Sequence, residues 1–158
     1  MIKYTSKLLE RAVSELSKLP GIGEKTALRL LLHLMKQDEQ RATALGEAII
    51  TMRKEIHFCK QCYNFSDEEL CPICADTQRD NNQLCIVEEV QDIMAIEGTH
   101  KYNGLYHVLT GVISPMEGIG PDNLTIDALL KRIDEHPPKE IIFAISPTLE
   151  GDTTSLYL

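Results

Sequence analysis

The apolar positions of this 158-residue chain change their period part-way along. Between 5 and 18, Leu8, Leu9, Ala12, Val13 and Leu16 recur at helical spacing with Lys7, Arg11 and Lys18 off the stripe, which predicts a helix ended by Pro20. A second helix is expected over about 24–36 on Ala27, Leu28, Leu31, Leu34 and Met35. A third, over about 38–56, carries Ala42, Leu45, Ala48, Ile49, Met52 and Ile56. Leu30, Leu31 and Leu32 are more than one face of a lone helical hairpin buries, so a third helix or another subunit should cover them. Beyond Arg79 the apolar runs shorten. Leu84-Cys85-Ile86-Val87, the run from Leu105 to Leu109 and the run from Ile141 to Ile145 read as buried strands. Helical patterns fill the gaps, from Val90 to a stop at Gly98 and over 125–135, with a Gly- and Pro-rich loop between Gly111 and Asp122. Strand–helix–strand–helix–strand predicts a parallel α/β sheet. The last residues, Leu156-Tyr157-Leu158, are apolar and fall inside an α/β unit, so a truncated unit lacking at least one strand is expected.

Charge divides the chain where the period changes. Residues 1–60 hold eleven Lys and Arg against seven Asp and Glu, whereas residues 61–158 hold five against seventeen. The net charge of −8 therefore hides a basic half, and two surfaces with different partners are expected. A hydrophobic fraction of 43% is enough for a core, and no run is long and apolar enough to cross a membrane. The N-terminus reads as the start of an amphipathic helix and not as a signal peptide, so a reduced cytoplasm is expected.

Between the two halves lie two C-x-x-C pairs, Cys59/Cys62 and Cys71/Cys74, eight residues apart. Each pair can turn two thiolates toward one point, and two such turns build the tetrahedral cage of a structural zinc with no position left for water. Eight residues suffice for a strand, a turn and a return. Two disulfides would need an oxidising compartment, and two copies of the pair so close together argue against a redox role. The segment has few apolar residues (Tyr63, Phe65, Leu70, Ile73), so metal binding has to supply its folding energy. His57 reads as a bystander, Cys85 as a buried small residue, and His33, His100, His107 and His136 as isolated.

The run Leu19-Pro20-Gly21-Ile22-Gly23-Glu24-Lys25-Thr26-Ala27 has the form of a helix-hairpin-helix. Gly21 and Gly23 permit a tight turn with unusual backbone angles and let backbone N–H groups approach a phosphate. The second helix aims its positive end at the same place, and Lys25 and Arg29, one turn apart, reach the same backbone. Such contacts hold DNA without reading its sequence.

Taken together, L-P-G-I-G-E-K-T-A-L-R-L, the cysteine quartet, L-C-I-V-E-E-V-Q-D-I-M-A-I-E, L-T-G-V-I-S-P-M-E-G-I-G-P and P-T-L-E-G-D-T-T resemble the RecR family of recombination mediators, in the family's order and over essentially the whole chain. The resemblance implies a multi-module α plus α/β protein. Its helix-hairpin-helix domain would be 1–56, its zinc module 57–78, and its incomplete, Rossmann-like parallel-sheet Toprim domain 79–158. It implies one structural zinc per chain and a non-catalytic clamp or adaptor in bacterial recombinational repair. Such a protein binds single- and double-stranded DNA, helps RecA load together with RecO and RecF, and works in the cytoplasm at the nucleoid. Family members form ring tetramers, and a dimer through the N-terminal helices is expected for this chain. RecO contact in the family involves the acidic Toprim surface, which maps to the segment of Glu150 and Asp152 and, second to it, to the neighbourhood of Glu88.

The Toprim resemblance also raises a metal-dependent nuclease or topoisomerase. Glu88 matches the glutamate after the first strand that such enzymes use. Their D-x-D pair falls on Ser146 and Thr148, which lack the charge to hold magnesium, so no catalysis is expected.

Overall fold

A computed structural model describes residues 4–158, which divide into two compact units, one ending at Lys54 and one spanning Glu55–Leu158. Three helices make up the first. Helix α1 (Lys7–Ser17) begins where the Ser6 hydroxyl accepts the Leu9 N–H at 3.4 Å, and α2 (Glu24–Leu34) packs against it through Val13 and Ala27, both buried. Between them Gly21 takes φ +79°, a left-handed conformation that a side chain would strain. Gly23 differs from expectation: it is ordinary extended backbone at φ −79° and serves as the N-cap of α2. Leu8 departs from its predicted stripe and is 81% exposed. Helix α3 (Glu39–Glu55) carries the predicted apolar stripe but buries none of it, and Leu45, Ile49 and Met52 stand about half exposed.

The second unit joins a small metal module to a parallel sheet. Strands β1 (His57–Phe58) and β2 (Phe65–Ser66) pair antiparallel, and the one-turn helix α4 (Pro72–Ala75) follows. Strand β3 (Asp80–Val87), helix α5 (Val90–Glu97), strand β4 (Gly104–Val108), helix α6 (Ile126–Glu135), strand β5 (Glu140–Ala144) and helix α7 (Leu149–Tyr157) complete it. The sheet order is β4-β3-β5, all parallel. Alternation along β3 sends Leu84 and Ile86 to a core shared with Leu129 of α6, and Cys85 and Val87 to one shared with Ile93 of α5. Both faces are covered at its C-terminal half, which is why Leu84–Val87 reads as an unbroken apolar run, while Asp80, Asn81 and Asn82 are exposed.

Polar contacts fasten the edge strand β4. The Arg79 guanidinium grips both carboxylate oxygens of Glu97, and the Tyr106 hydroxyl donates to the same carboxylate at 2.7 Å. Glu97 is held below the ordinary carboxylate range, first by the Arg79 hydrogen bond, against the opposing effect of burial. The stability it contributes is complete above its unfolded value, about 4.3, and is lost as pH falls through the lowered folded value. Urea unfolding of the protein and of Glu97→Gln checks this. The gap between the two should be present at pH 7 and shrink as pH falls below about 4.3, and a gap that stays the same size as the pH falls would refute the assignment.

Candidate metal module, sheet edge and helical hairpin

The first cysteine pair sits in the turn joining β1 to β2. That differs from the predicted strand and return between the pairs. Cys59 donates its N–H to Asn64 O at 2.7 Å and accepts the Tyr63 N–H at 3.0 Å, a tight knuckle that puts Tyr63 at φ +63°. Cys71 then caps α4, and Cys74 lies within its single turn. The four sulfurs lie within 4.8 Å of one another, with three of the cysteines buried and Cys74 half-buried. A tetrahedral zinc at about 2.3 Å from each sulfur sets ligands about 3.8 Å apart, and the Cys62 and Cys71 sulfurs are 3.5 Å apart. The Cys71 N–H points at the Cys59 sulfur at 3.3 Å, as backbone donors do toward metal-bound thiolates. The donor set, its closure and its burial fit one structural zinc held by Cys59, Cys62, Cys71 and Cys74. His57 stays outside this cluster, its ring nitrogens facing Glu55 O at 3.0 Å and Glu68 O at 2.8 Å. Cys85 is buried in the sheet core, where desolvation pushes its thiol up to about 11.

This module is bolted to the free side of β4. Val108 donates its N–H to Cys62 O at 2.9 Å. Arg132 of α6 donates to Tyr106 O at 2.7 Å and to Gln61 O at 3.4 Å, and the Tyr63 ring lies 5.5 Å from that of His107. His107 is fully buried, and desolvation, followed by the charge of Arg132, lowers it to about 4. Nothing in the spacing of Tyr63, His107 and Arg132 announced this junction. Those residues come together only through the sheet.

Where β3 ends the chain turns to β4 on one side and later to β5 on the other, so the crevice beyond β3 and β5 is the switch point of the sheet. Glu88 stands there, half-buried, and its carboxylate accepts the Ser146 N–H just past β5. The Thr148 hydroxyl caps α7 by accepting the Gly151 N–H at 3.1 Å. Gly151 rides on the Ser146 carbonyl so closely that an added Cβ would lie 2.0 Å from that oxygen. Glu150 and Asp152 lie in the first turn of α7, which follows this loop, Glu150 half-buried and Asp152 exposed.

In the first unit Gly21, Gly23, Lys25 and Arg29 are all exposed around the α1–α2 turn. Among the described residues a Cβ at either glycine would meet nothing within 4 Å, so none of them demands the bare backbone at Gly23. Lys25 and Arg29 make no ion pair among the described residues. The turn offers open N–H groups, the positive end of a helix and two such cations, which is what a phosphate requires.

The sheet is of a known type: the Toprim domain model matches residues 82–158. Ahead of it the chain matches the RecR helix-hairpin-helix model over 9–53 and the RecR four-cysteine zinc finger model over 56–76. The class is thus a zinc-finger Toprim protein of DNA recombination. Similar proteins are each called recombination protein RecR. The one from Bacteroides thetaiotaomicron is 55% identical over 156 residues, covering 99% of this chain and 76% of its own length. That from Amoebophilus asiaticus is 52% identical over 98% of this chain and 78% of its own, and that from Flavobacterium johnsoniae 50% identical over 99% and 76%. This chain belongs to the RecR family of recombination proteins. It spans about three quarters of the length of these relatives. No helix among the described residues is long and apolar enough to cross a membrane.

Proposed function

We propose that this chain is a non-catalytic DNA clamp and adaptor of bacterial recombinational repair, acting in the cytoplasm at the nucleoid. The observation that carries the reading is the α1–α2 turn, where exposed Gly21 and Gly23 stand beside Lys25 and Arg29, whose charges no described residue pairs. They hold single- or double-stranded DNA by its phosphates, without reading sequence. The acidic group Glu88, Glu150 and Asp152 docks a partner protein, for which RecO is the candidate, with RecF and the loading of RecA further along the same process. Several hairpins must act together for useful avidity. The uncovered stripe of α3 and an apolar groove of about 680 Å³ lined by Leu8, Leu9, Leu31 and Met35 support a homo-oligomer built on the first unit, a dimer for this chain.

The absence of catalysis is supported by chemistry at the switch point. The carboxylate of Glu88 is taken up by a backbone N–H, and the positions opposite it offer only the Ser146 and Thr148 hydroxyls. Magnesium-dependent cleavage or relaxation of plasmid that disappears in Glu88→Ala would overturn this part.

DNA binding measured against salt tests the hairpin. Lys25→Ala/Arg29→Ala should lower the log–log slope by about 1.4 to 1.8, from the 0.7 to 0.9 expected per phosphate contact, with melting unchanged because both side chains are exposed. Unchanged binding in the double variant would remove the assignment.

A further inference from the structure

We propose that the phosphate-binding surface does not end at Arg29 but continues along α2 through His33 and Lys36, forming a track for successive phosphates of one DNA strand. This rests on the reading of the hairpin as a DNA site and extends it to two residues to which the sequence pattern assigned no chemistry. Lys25, Arg29, His33 and Lys36 line one shallow groove of about 440 Å³ with Leu28 and Leu32. At 100° per residue the three on α2, Lys25, Arg29 and His33, fall within an arc of about 80°, and Lys36 follows just beyond the C-cap Met35. Each step of four residues rises about 6 Å along the axis, so Lys25 to His33 spans about 12 Å. A single phosphate needs no more than the turn and the first two cations. A row of evenly stepped donors suits a chain of evenly stepped anions.

Charge supports the same occupant. All four polar residues are exposed, and Lys25, Arg29 and Lys36 form no ion pair among the described residues. Elsewhere Lys18 pairs with Glu15 at 2.8 Å, Lys60 with Glu69, and Lys131 with Glu135 at 3.9 Å. No acidic residue lines the groove. The nearest in sequence, Glu24, is engaged by the Tyr4 hydroxyl at 2.8 Å, which also raises the phenol to about 12, after desolvation as the larger cause. Leu32, 46% exposed, gives the groove an apolar floor on which a deoxyribose can rest.

The other role open to His33 and Lys36 is to offset the negative end of α2, where Lys36 follows the C-cap Met35. Binding of a fluorescent oligothymidylate against salt, with thermal melting of the same samples, separates the two. On the track reading, Lys36→Ala lowers the single-strand slope by about 0.7 and weakens binding severalfold without moving the melt, Lys36→Arg restores both, and His33→Ala weakens binding further. A lowered melt with an unchanged slope in Lys36→Ala would overturn the track and leave the hairpin standing, provided Lys25→Ala/Arg29→Ala still loses binding. If that double variant also binds normally, both readings fall.

Discussion

Cys71→Ser, or removal of the metal by a chelator, is expected to unfold the segment from His57 to Ala75. The cluster that holds this module together consists of Cys59, Cys62 and Cys71, with only Ile73 and Cys74 packed against them. Its two strands are two residues each, and Phe58 and Phe65, their tilted rings 5.7 Å apart, are about half exposed. So little buried apolar surface cannot offset the conformational entropy of some twenty residues. The metal supplies the balance, on the order of 10 kcal/mol or more in isolated zinc peptides. The damage should spread. With the knuckle gone, the Val108 N–H and one Arg132 contact lose their acceptors on Cys62 and Gln61, and the outer side of β4 becomes an unpaired edge open to aggregation. Metal content, limited proteolysis around Lys60 and the melting temperature check this, with Cys85→Ser as the control that keeps its zinc. Full resistance to proteolysis in metal-free Cys71→Ser would contradict the account.

Gly151→Ala should be the most damaging single-methyl change in the sheet unit. Its Cβ would sit 2.0 Å from the Ser146 carbonyl oxygen and 3.1 Å from Ile145 Cγ2, and the first of these is backbone that cannot swing aside. Relief requires α7 to lift from the end of β5. That would cost the hydrogen bond from Ile113 N to the buried Thr154 hydroxyl at 2.9 Å, and would displace Glu150 and Asp152 on the first turn of α7. Overpacking of this kind costs about 3 kcal/mol. Gly120→Ala is the matched control, since its Cβ would come no closer than 3.8 Å to Asn123 Oδ1. Chemical unfolding of both variants decides the point, and equal stability of the two would remove the argument for the close approach. If partner docking uses this edge, Gly151→Ala should also weaken it while leaving hairpin-based DNA binding intact.

Several features were legible in the residues because they depend on neighbours close in sequence. The Gly21 turn, the spacing of Lys25 and Arg29 by one helical turn, and the two C-x-x-C pairs are local geometry. The buried run Leu84–Val87 is nearly so, because residues covered on both faces of a sheet are predominantly apolar. The identity of the metal ligands followed from thiol chemistry, and the four sulfurs do converge. Less was legible where one face had no counterpart in the chain itself. Helix α3 shows a helical apolar stripe, yet none of it is buried, since period reports which side a helix would cover and not whether anything covers it. Leu8 fails for the same reason.

Chain order and periodicity established that helices come first, a metal module second and a parallel sheet last, because secondary structure and thiolate ligation respond to spacing over a few residues. Three matters belonged to the tertiary structure. The strand order β4-β3-β5 carries Glu88 to the switch point and hands its carboxylate to Ser146, which is 58 residues away. The close approach of α7 to the Ser146 carbonyl makes Gly151 irreplaceable, although its φ lies outside the left-handed region. The knuckle docks on β4 through Cys62 O and Val108 N–H, two backbone groups that no side-chain pattern can encode. Contacts between residues far apart in sequence depend on how the elements pack, and packing is decided only when the whole unit has folded.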